Sequence, residues 1–257
     1  MGLGIDTDNV EMVTTDDGDG IPAQYQEFVE VFSKEKAKTL PPHRPNDHMI
    51  SLEPDYKLSY GQTYNLPEFE SKTHNAYLEI NLANGFIQQS SSSAAVPILF
   101  ATKKHRWLRL CVDYWALKLG TVKNWCPLPL NSELLDRVCE ACIFTQLDLW
   151  NAYHPMWIEE GDEFKSVFRT RYGQFEFRVM PFRLTNVPAT FQAYIDNCLR
   201  PYIGDFTVCY LDNILFYSTN EKEHEDHIWN MLQHIQEFVL NCNTEKCQFA
   251  VREVGFL

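Results

Sequence analysis

An α+β fold is the class this 257-residue sequence predicts. Three observations carry it. Short apolar runs bounded by turn residues, such as CIFTQLDL and SVFRTRYGQFEFRVMPF, have the length and spacing of strands paired as hairpins. The segment NEKEHEDHIWNMLQHIQEFVL has the period of an amphipathic helix. Ile228, Met231, Leu232, Ile235, Phe238 and Val239 form its apolar stripe. Glu221, Glu223, Glu225 and Asp226 crowd its N-terminal end, where the helix dipole favours acids. Finally, the strands come with helices able to cover one sheet face, and no internal repeat breaks the order.

The elements follow in order. Residues 1–33 hold eight acids and no Lys or Arg, and the first 20 read as a disordered leader. IPAQYQEFVEVFS suits a short helix. Pro41, Pro42 and Pro45 then interrupt regular structure, and HMISLEP reads as a strand. A helix is predicted from Pro67 to Asn84, with Gly85 as its stop and Phe69, Thr73, Ala76, Ile80 and Ala83 on one face. SSSSAAVPILFATKK and RWLRLCVDY form a hairpin around Lys104, His105 and Arg106, and the next hairpin turns at Tyr172-Gly173. NVPATFQAYIDNCLRPYI begins a helix near Pro188, and FTVCYLDNILFYS is strand, tight turn, strand.

Composition sets outer bounds. Apolar residues at 45% and charged residues at 22% are ordinary for a globular domain with a full core. No apolar run approaches a membrane span, and the N-terminus carries no secretory signal, so an intracellular setting (cytoplasm, virus-like particle or nucleus) with reduced thiols is expected. Cys139-x-x-Cys142 has the spacing of half a zinc site, but no second pair matches it, so buried or incidental thiols are the better reading. A net charge of −13 opposes a nucleic-acid partner, yet Lys103, Lys104, Arg106, Arg109, Lys118 and Lys123 crowd one segment against the single acid Asp113. That segment fits a phosphate-binding face or a solvated basic surface equally.

Two strand-borne acids stand out, Asp148 at the end of FTQLDL and Asp212 in the YLDN turn. Each alone suits a strand cap at a sheet edge. Neighbouring strands would bring both to one end, and converging carboxylates suit Mg²⁺, a hard ion that prefers oxygen ligands. Phosphoryl or nucleotidyl transfer is the chemistry such a pair supports. A metal-dependent phosphohydrolase is the competing class and needs a water-activating base, for which His154 is the nearby candidate.

The runs LRLCVDYWALKLGTVKNWCPLP, FTQLDLWNAYHPMWI, FKSVFRTRYGQFEFRVMPFRLTNVPATFQ and YLDNILFYS, in this order and spacing, resemble the reverse transcriptase of gypsy-type LTR retrotransposons. The resemblance covers about residues 40–257 and leaves 1–39 as an acidic leader. It implies the right-hand fold, with fingers at about 40–135 and 155–180, and palm at about 136–154 and 181–257. The palm is expected as a ferredoxin-like antiparallel sheet with helices on one face. The sequence ends about where the family's primer-grip segment begins, so thumb, connection, ribonuclease H and integrase regions are expected outside it.

The resemblance also implies the site. Asp148 and Asp212 match catalytic, metal-binding aspartates, and Leu149 matches the residue whose main chain joins them. Tyr153 matches the aromatic gate against a ribose 2′-hydroxyl. Arg109, Lys103 and Lys104 match cations that hold the triphosphate, and Phe182, Pro188, Phe191 and Gln192 fall in the motif lining the nucleotide pocket. Implied partners are an RNA template, a DNA primer and dNTPs, with two Mg²⁺ ions as cofactors.

The departures from the family pattern bear on activity. Asn213 replaces the second aspartate of the turn, Arg183 a glycine beside the nucleotide pocket, Trp115 an arginine, Val187 an alanine, and His105-Arg106-Trp107 an Asp-Gly turn. The first four substitutions each need one C-to-T or G-to-A transition, the pattern expected of a decaying element copy. Asn213 and Arg183 predict impaired polymerisation, with a catalytically dead remnant that at most binds nucleic acid as the alternative.

Overall fold

A computed structural model describes residues 20–44, 47–102, 108–124, 131–150 and 156–255. Its elements, numbered in chain order, are α1 (Glu68–Ala83), β1 (Ile87–Gln89), β2 (Val96–Thr102), β3 (Leu108–Val112), α2 (Trp115–Gly120), α3 (Asn131–Val138), β4 (Ile143–Asp148), β5 (Phe168–Thr170), β6 (Gly173–Phe177), α4 (Val187–Leu199), β7 (Thr207–Tyr210), β8 (Asn213–Ser218), α5 (Glu221–Glu237) and β9 (Gln248–Val251). They form two compact units. One comprises the described residues within Leu40–Asn124 and Tyr153–Val187, the other those within Thr14–Thr39, Trp125–Ala152 and Pro188–Leu257.

The first unit is built on a five-stranded sheet of order β1-β6-β5-β2-β3. The β2–β3 hairpin is antiparallel and pairs Ala101 with Arg109. β2 runs parallel to β5, and β5 turns back into β6 at Gly173, whose φ of +130° is a conformation that glycine adopts freely. α1 ends at Gly85, φ +73°, as expected, but its buried face is Ser71, His74, Tyr77, Leu78 and Asn81. Phe69, placed on the buried face by periodicity, is 45% exposed. Two of the inward polar residues find hydrogen-bond partners: Arg171 Nη1 donates to Ser71 Oγ at 3.0 Å, and Asn81 Nδ2 donates to the Tyr77 carbonyl at 2.8 Å, while His74 packs against the Phe100 and Tyr172 rings. HMISLEP is not a strand. His48 bridges Ile158, Leu52 bridges Thr121, and the Ile50 amide donates to Asp162 Oδ2 at 2.6 Å, so successive residues serve different partners.

The second unit is built on a four-stranded sheet of order β7-β8-β4-β9, antiparallel throughout. β4 alternates in burial. Ile143, Thr145 and Leu147 face inward, while Phe144, Gln146 and Asp148 are half-buried on the other side. The inward side carries α5, whose His224 Nε2 lies 2.8 Å from Thr145 Oγ1. α4 joins it there, with His234 Nε2 of α5 2.7 Å from the Cys198 carbonyl. On the opposite side α3 sets Leu134 among Val208, Leu215 and Tyr217. That packing is the physical reason α3 groups with this sheet.

Part of the leader is ordered. A 3-10 helix, Ala23–Phe32, buries Tyr25, Phe28, Val31 and Phe32. The Phe28 ring meets Trp229 of α5 edge-on at 4.9 Å, and Tyr25 and Phe32 meet Phe249 of β9 at 5.9 and 6.0 Å. Among the described residues, no helix is long and apolar enough to cross a membrane.

Candidate active site

Strand register brings the acids of the second unit together. β4 pairs with β8 from Ile143↔Ser218 to Asp148↔Asn213, so Asp148 lies directly across from Asn213. β7 and β8 close around a two-residue turn, Leu211-Asp212, and the Leu149 amide donates to the Asp212 carbonyl at 3.2 Å. Asp148, Leu149, Asp212 and Asn213 therefore share one end of the sheet. Asp148, Asp212 and Asn213 are only partly buried, so their side chains keep access to solvent while Leu149 is buried.

Asp148 is held closely. Its carbonyl accepts from the Asn243 amide at 2.7 Å, and the Trp150 amide donates to the Asn241 carbonyl at 2.8 Å. Lys246 Nζ reaches Asp148 Oδ1 at 3.2 Å and supplies a positive charge beside the carboxylate. Asn213 Oδ1 accepts from Gln146 Nε2 at 3.1 Å, two residues before Asp148 on the same strand face. Burial pushes the nearby Cys247 thiol up to about 12 and Cys242 far above the ordinary thiol range, so neither supplies a thiolate.

The turn is backbone-strained. Leu211 has φ +54°, the sign expected at the first position of a II′ turn, where glycine is usual. Gln192, on α4, offsets that cost. It is fully buried, its Oε1 accepts from the Leu211 amide at 2.9 Å, and its Nε2 donates to Asp196 Oδ1 at 2.8 Å. The residue expected to line the nucleotide pocket is thus placed beneath the turn, with both ends of its amide engaged.

Two carboxylates and the Leu149 main chain form an oxygen donor set that suits a hard divalent cation. The set is short of charge for two such ions, because Asn213 brings a neutral amide oxygen already engaged by Gln146. Among the described residues no cluster of three or more His, Cys, Asp or Glu side chains completes it.

In the first unit, Arg109 lies on β3 with its guanidinium 5.6 Å from the centre of the Phe182 ring. Arg183 follows Phe182 in the turn after β6, and its guanidinium lies 5.9 Å from the same ring. Arg183 has φ +81°, a left-handed conformation that costs a residue with a Cβ. Phe182 itself is half-exposed. Lys103, Lys104, Tyr153 and His154 lie outside the described residues.

Sequence reasoning missed Gln146, Lys246 and the Asn241–Asn243 segment. Their contacts to Asn213, Asp148 and Trp150 depend on the β4–β8 and β4–β9 register, and no local motif signals them.

An antiparallel sheet whose edge hairpin β7–β8 and adjoining strand β4 carry aspartates at one end, with helices packed against it, has the layout of a polymerase palm. The comparisons make this specific. The model of the family "Reverse transcriptase (RNA-dependent DNA polymerase)" matches residues 67–257. The Transposon Tf2-7 and Tf2-3 polyproteins of Schizosaccharomyces pombe are each 35% identical over 239 residues, 92% of this chain. The chain spans only 18% of their length. Foamy viral protease–reverse transcriptase in complex with double-stranded DNA superposes with a TM-score of 0.78 at 17% identity, over 92% of this chain and 43% of that one. The same enzyme with RNA/DNA hybrid gives 0.75 at 18%, over 92% and 33%. The chain belongs to the reverse transcriptase family, and its fold is that of the family's fingers and palm.

Proposed function

We propose that this chain is the fingers–palm part of a gypsy-type LTR retrotransposon polymerase. Its family reaction transfers the nucleotidyl group of a dNTP to a primer 3′-hydroxyl on an RNA template, releasing pyrophosphate, and Asn213 and Arg183 impair that reaction in this copy. The observation that carries the reading is the register Asp148↔Asn213 with Asp212 in the adjoining turn. Asp148, Asp212 and the Leu149 carbonyl would hold Mg²⁺, which when bound supplies charge stabilisation to the attacking and leaving oxygens. Arg109 presents a planar, permanently charged fork to the triphosphate, with Lys103 and Lys104 as further cations. Phe182 lines the nucleotide site and Tyr153 excludes a ribose 2′-hydroxyl. Gln192 acts indirectly, by fixing the Leu211 amide and with it the aspect of Asp212. The partners are template RNA, primer DNA and dNTPs, consistent with the duplex and hybrid that the foamy viral enzyme binds.

A second reading is a silent remnant that binds nucleic acid without chemistry, and the Gln146–Asn213 hydrogen bond favours it by engaging the one oxygen that replaces a carboxylate. Primer extension on an RNA template decides between them. The chain as it stands is expected to extend poorly and Asn213→Asp to extend measurably. Robust extension by the unaltered chain refutes the impairment. Salt-dependent hybrid binding with no extension by either protein supports the remnant.

A further inference from the structure

Val138 and Ala141 pack against the cluster of Leu134, Val208, Leu215 and Tyr217, so the turn joining α3 to β4 is held to the sheet by its first and last residues. The Ala141 amide closes that turn on the Val138 carbonyl at 3.1 Å, and the Cys142 amide then donates to the Ser218 carbonyl at 3.0 Å. Cys139, Glu140 and Cys142 take no part in the packing and are exposed. The pair is therefore two free thiols in solvent around one tight turn. By contrast, Cys111, Cys198, Cys209 and Cys242 are buried and Cys247 is half-buried, so the expectation of buried thiols does not hold for Cys139 and Cys142. Cys-x-x-Cys is the spacing with which one turn offers two sulfurs to one tetrahedral ion. Among the described residues no cluster of three or more His, Cys, Asp or Glu side chains completes such a set, so one chain supplies half a coordination sphere. Leu135, one helical turn before Cys139, is 53% exposed and leaves apolar surface beside the thiols.

We infer that Cys139 and Cys142 form half of a Zn²⁺ site that a second copy of this chain completes. Four thiolates, two from each copy, make the closed tetrahedral set that this borderline-soft ion takes in structural sites. Each thiol gives up its proton on binding, and Cys139 also gives up the 3.0 Å contact from its Sγ to the Asp136 carbonyl. The contact is isologous, the same turn meeting itself across a two-fold axis with Leu135 of each copy beside it. Asp136 and Glu140 are exposed there too, so two copies bring like charges together and associate only with the ion present. The turn lies at the Ile143 end of β4, roughly 17–20 Å along the strand from Asp148, so the thiol site is separate from the acid-bearing end.

Zn²⁺ titration of the whole reduced chain, in excess Mg²⁺ to compete for the carboxylates, tests it. Mass is followed by light scattering and metal content is measured after gel filtration. The expected result is about one ion retained for two chains, with Zn²⁺ converting monomer to dimer and EDTA returning it. Cys139→Ser and Cys142→Ser should remain folded in thermal melts and lose both the ion and the dimer. Co²⁺ in place of Zn²⁺ should give thiolate-to-metal charge-transfer absorption in the parent and none in either variant. No retained Zn²⁺ overturns the inference, and so does one ion per chain on a monomer. A metal-dependent dimer that survives both substitutions places the ligands elsewhere and also overturns it. Alkylation of the native parent by iodoacetamide, mapped to Cys139 and Cys142, keeps the test open should a serine variant unfold. Loss of the dimer after that modification sustains the inference, and a dimer that still forms refutes it.

Discussion

Asn213→Asp tests the chemistry of the acid-bearing end without any need for turnover. Asp148 and Asn213 are directly opposed across β4 and β8. Opposed Cβ atoms lie ~5 Å apart, so a new carboxylate faces an existing one at about that separation. At an effective dielectric of roughly 20–40 for half-buried groups, two like charges at this distance repel by about 2–3 kcal/mol. Lys246, 3.2 Å from Asp148, offsets part of that, which leaves a net cost of about 2 kcal/mol. For a domain of this size that corresponds to a fall of ~4–8 °C in melting midpoint in EDTA. The sign with pH is fixed. The new carboxyl's folded pKa is raised by Asp148, so the penalty is full at neutral pH and vanishes below about 4, where the group is protonated in both states. Mg²⁺ should offset most of the loss: at ten times its dissociation constant, binding adds about 1.4 kcal/mol. The assay is a pair of thermal melts, parent and variant, in EDTA and across a Mg²⁺ titration. A variant that melts with the parent in EDTA, or gains no more from Mg²⁺ than the parent, would falsify the placement of both groups in one metal-binding end.

Further outcomes follow from other contacts. Arg183→Gly and Arg183→Ala both lose the contact to Phe182, but only glycine relaxes φ +81°, so the glycine variant should be the more stable by about 1 kcal/mol in urea unfolding. Gln192→Met leaves the half-buried Leu211 amide without its acceptor, at a cost of about 1 kcal/mol, and should accelerate hydrogen exchange at that amide ahead of the rest of β7–β8. Burial holds His48, His74 and His224 at about 4, below their ordinary value, so protonation favours the unfolded chain. Stability should be level above about pH 6.5 and fall between 6.5 and 4, and His224→Gln should reduce that fall in urea titrations at successive pH values. Phe28→Ala empties a buried site against Trp229 and should cost about 3–5 kcal/mol in the second unit.

Elements fixed by local chemistry were legible from the sequence. The β5–β6 turn announces itself through Tyr172-Gly173, the α4 start through Pro188, and α5 through its apolar stripe and acidic first turn. Asp148 and Asp212 each had a bland reading as a strand cap, and it is the β4–β8 and β7–β8 register that sets them at one end of the sheet. What stayed hidden depends on partners far along the chain. The inward face of α1 is polar because Arg171 is there to receive Ser71, which no helical period can report. HMISLEP has strand composition, but its amide and carbonyl groups are claimed separately by residues near 121, 158 and 162. Gln192 belongs to a recognisable motif, yet its place beneath the turn became visible only with the β7–β8 hairpin in register.

The acidic N-terminal segment has a consequence for where this domain begins. The Val31 carbonyl accepts from the Cys242 amide at 2.8 Å, and the neighbouring Asn241 and Asn243 grip Trp150 and Asp148. Two backbone steps thus separate the 3-10 helix from the strand end that bears the first acid. A fragment cut at Leu40, where the recognisable family motifs start, would strip Trp229 and Phe249 of their aromatic neighbours and loosen the clasp on Asp148. Ile21, Tyr25, Phe28, Val31 and Phe32 are all buried, so this segment is part of the second unit's packing and its removal would open the face that steadies the acid-bearing strand end.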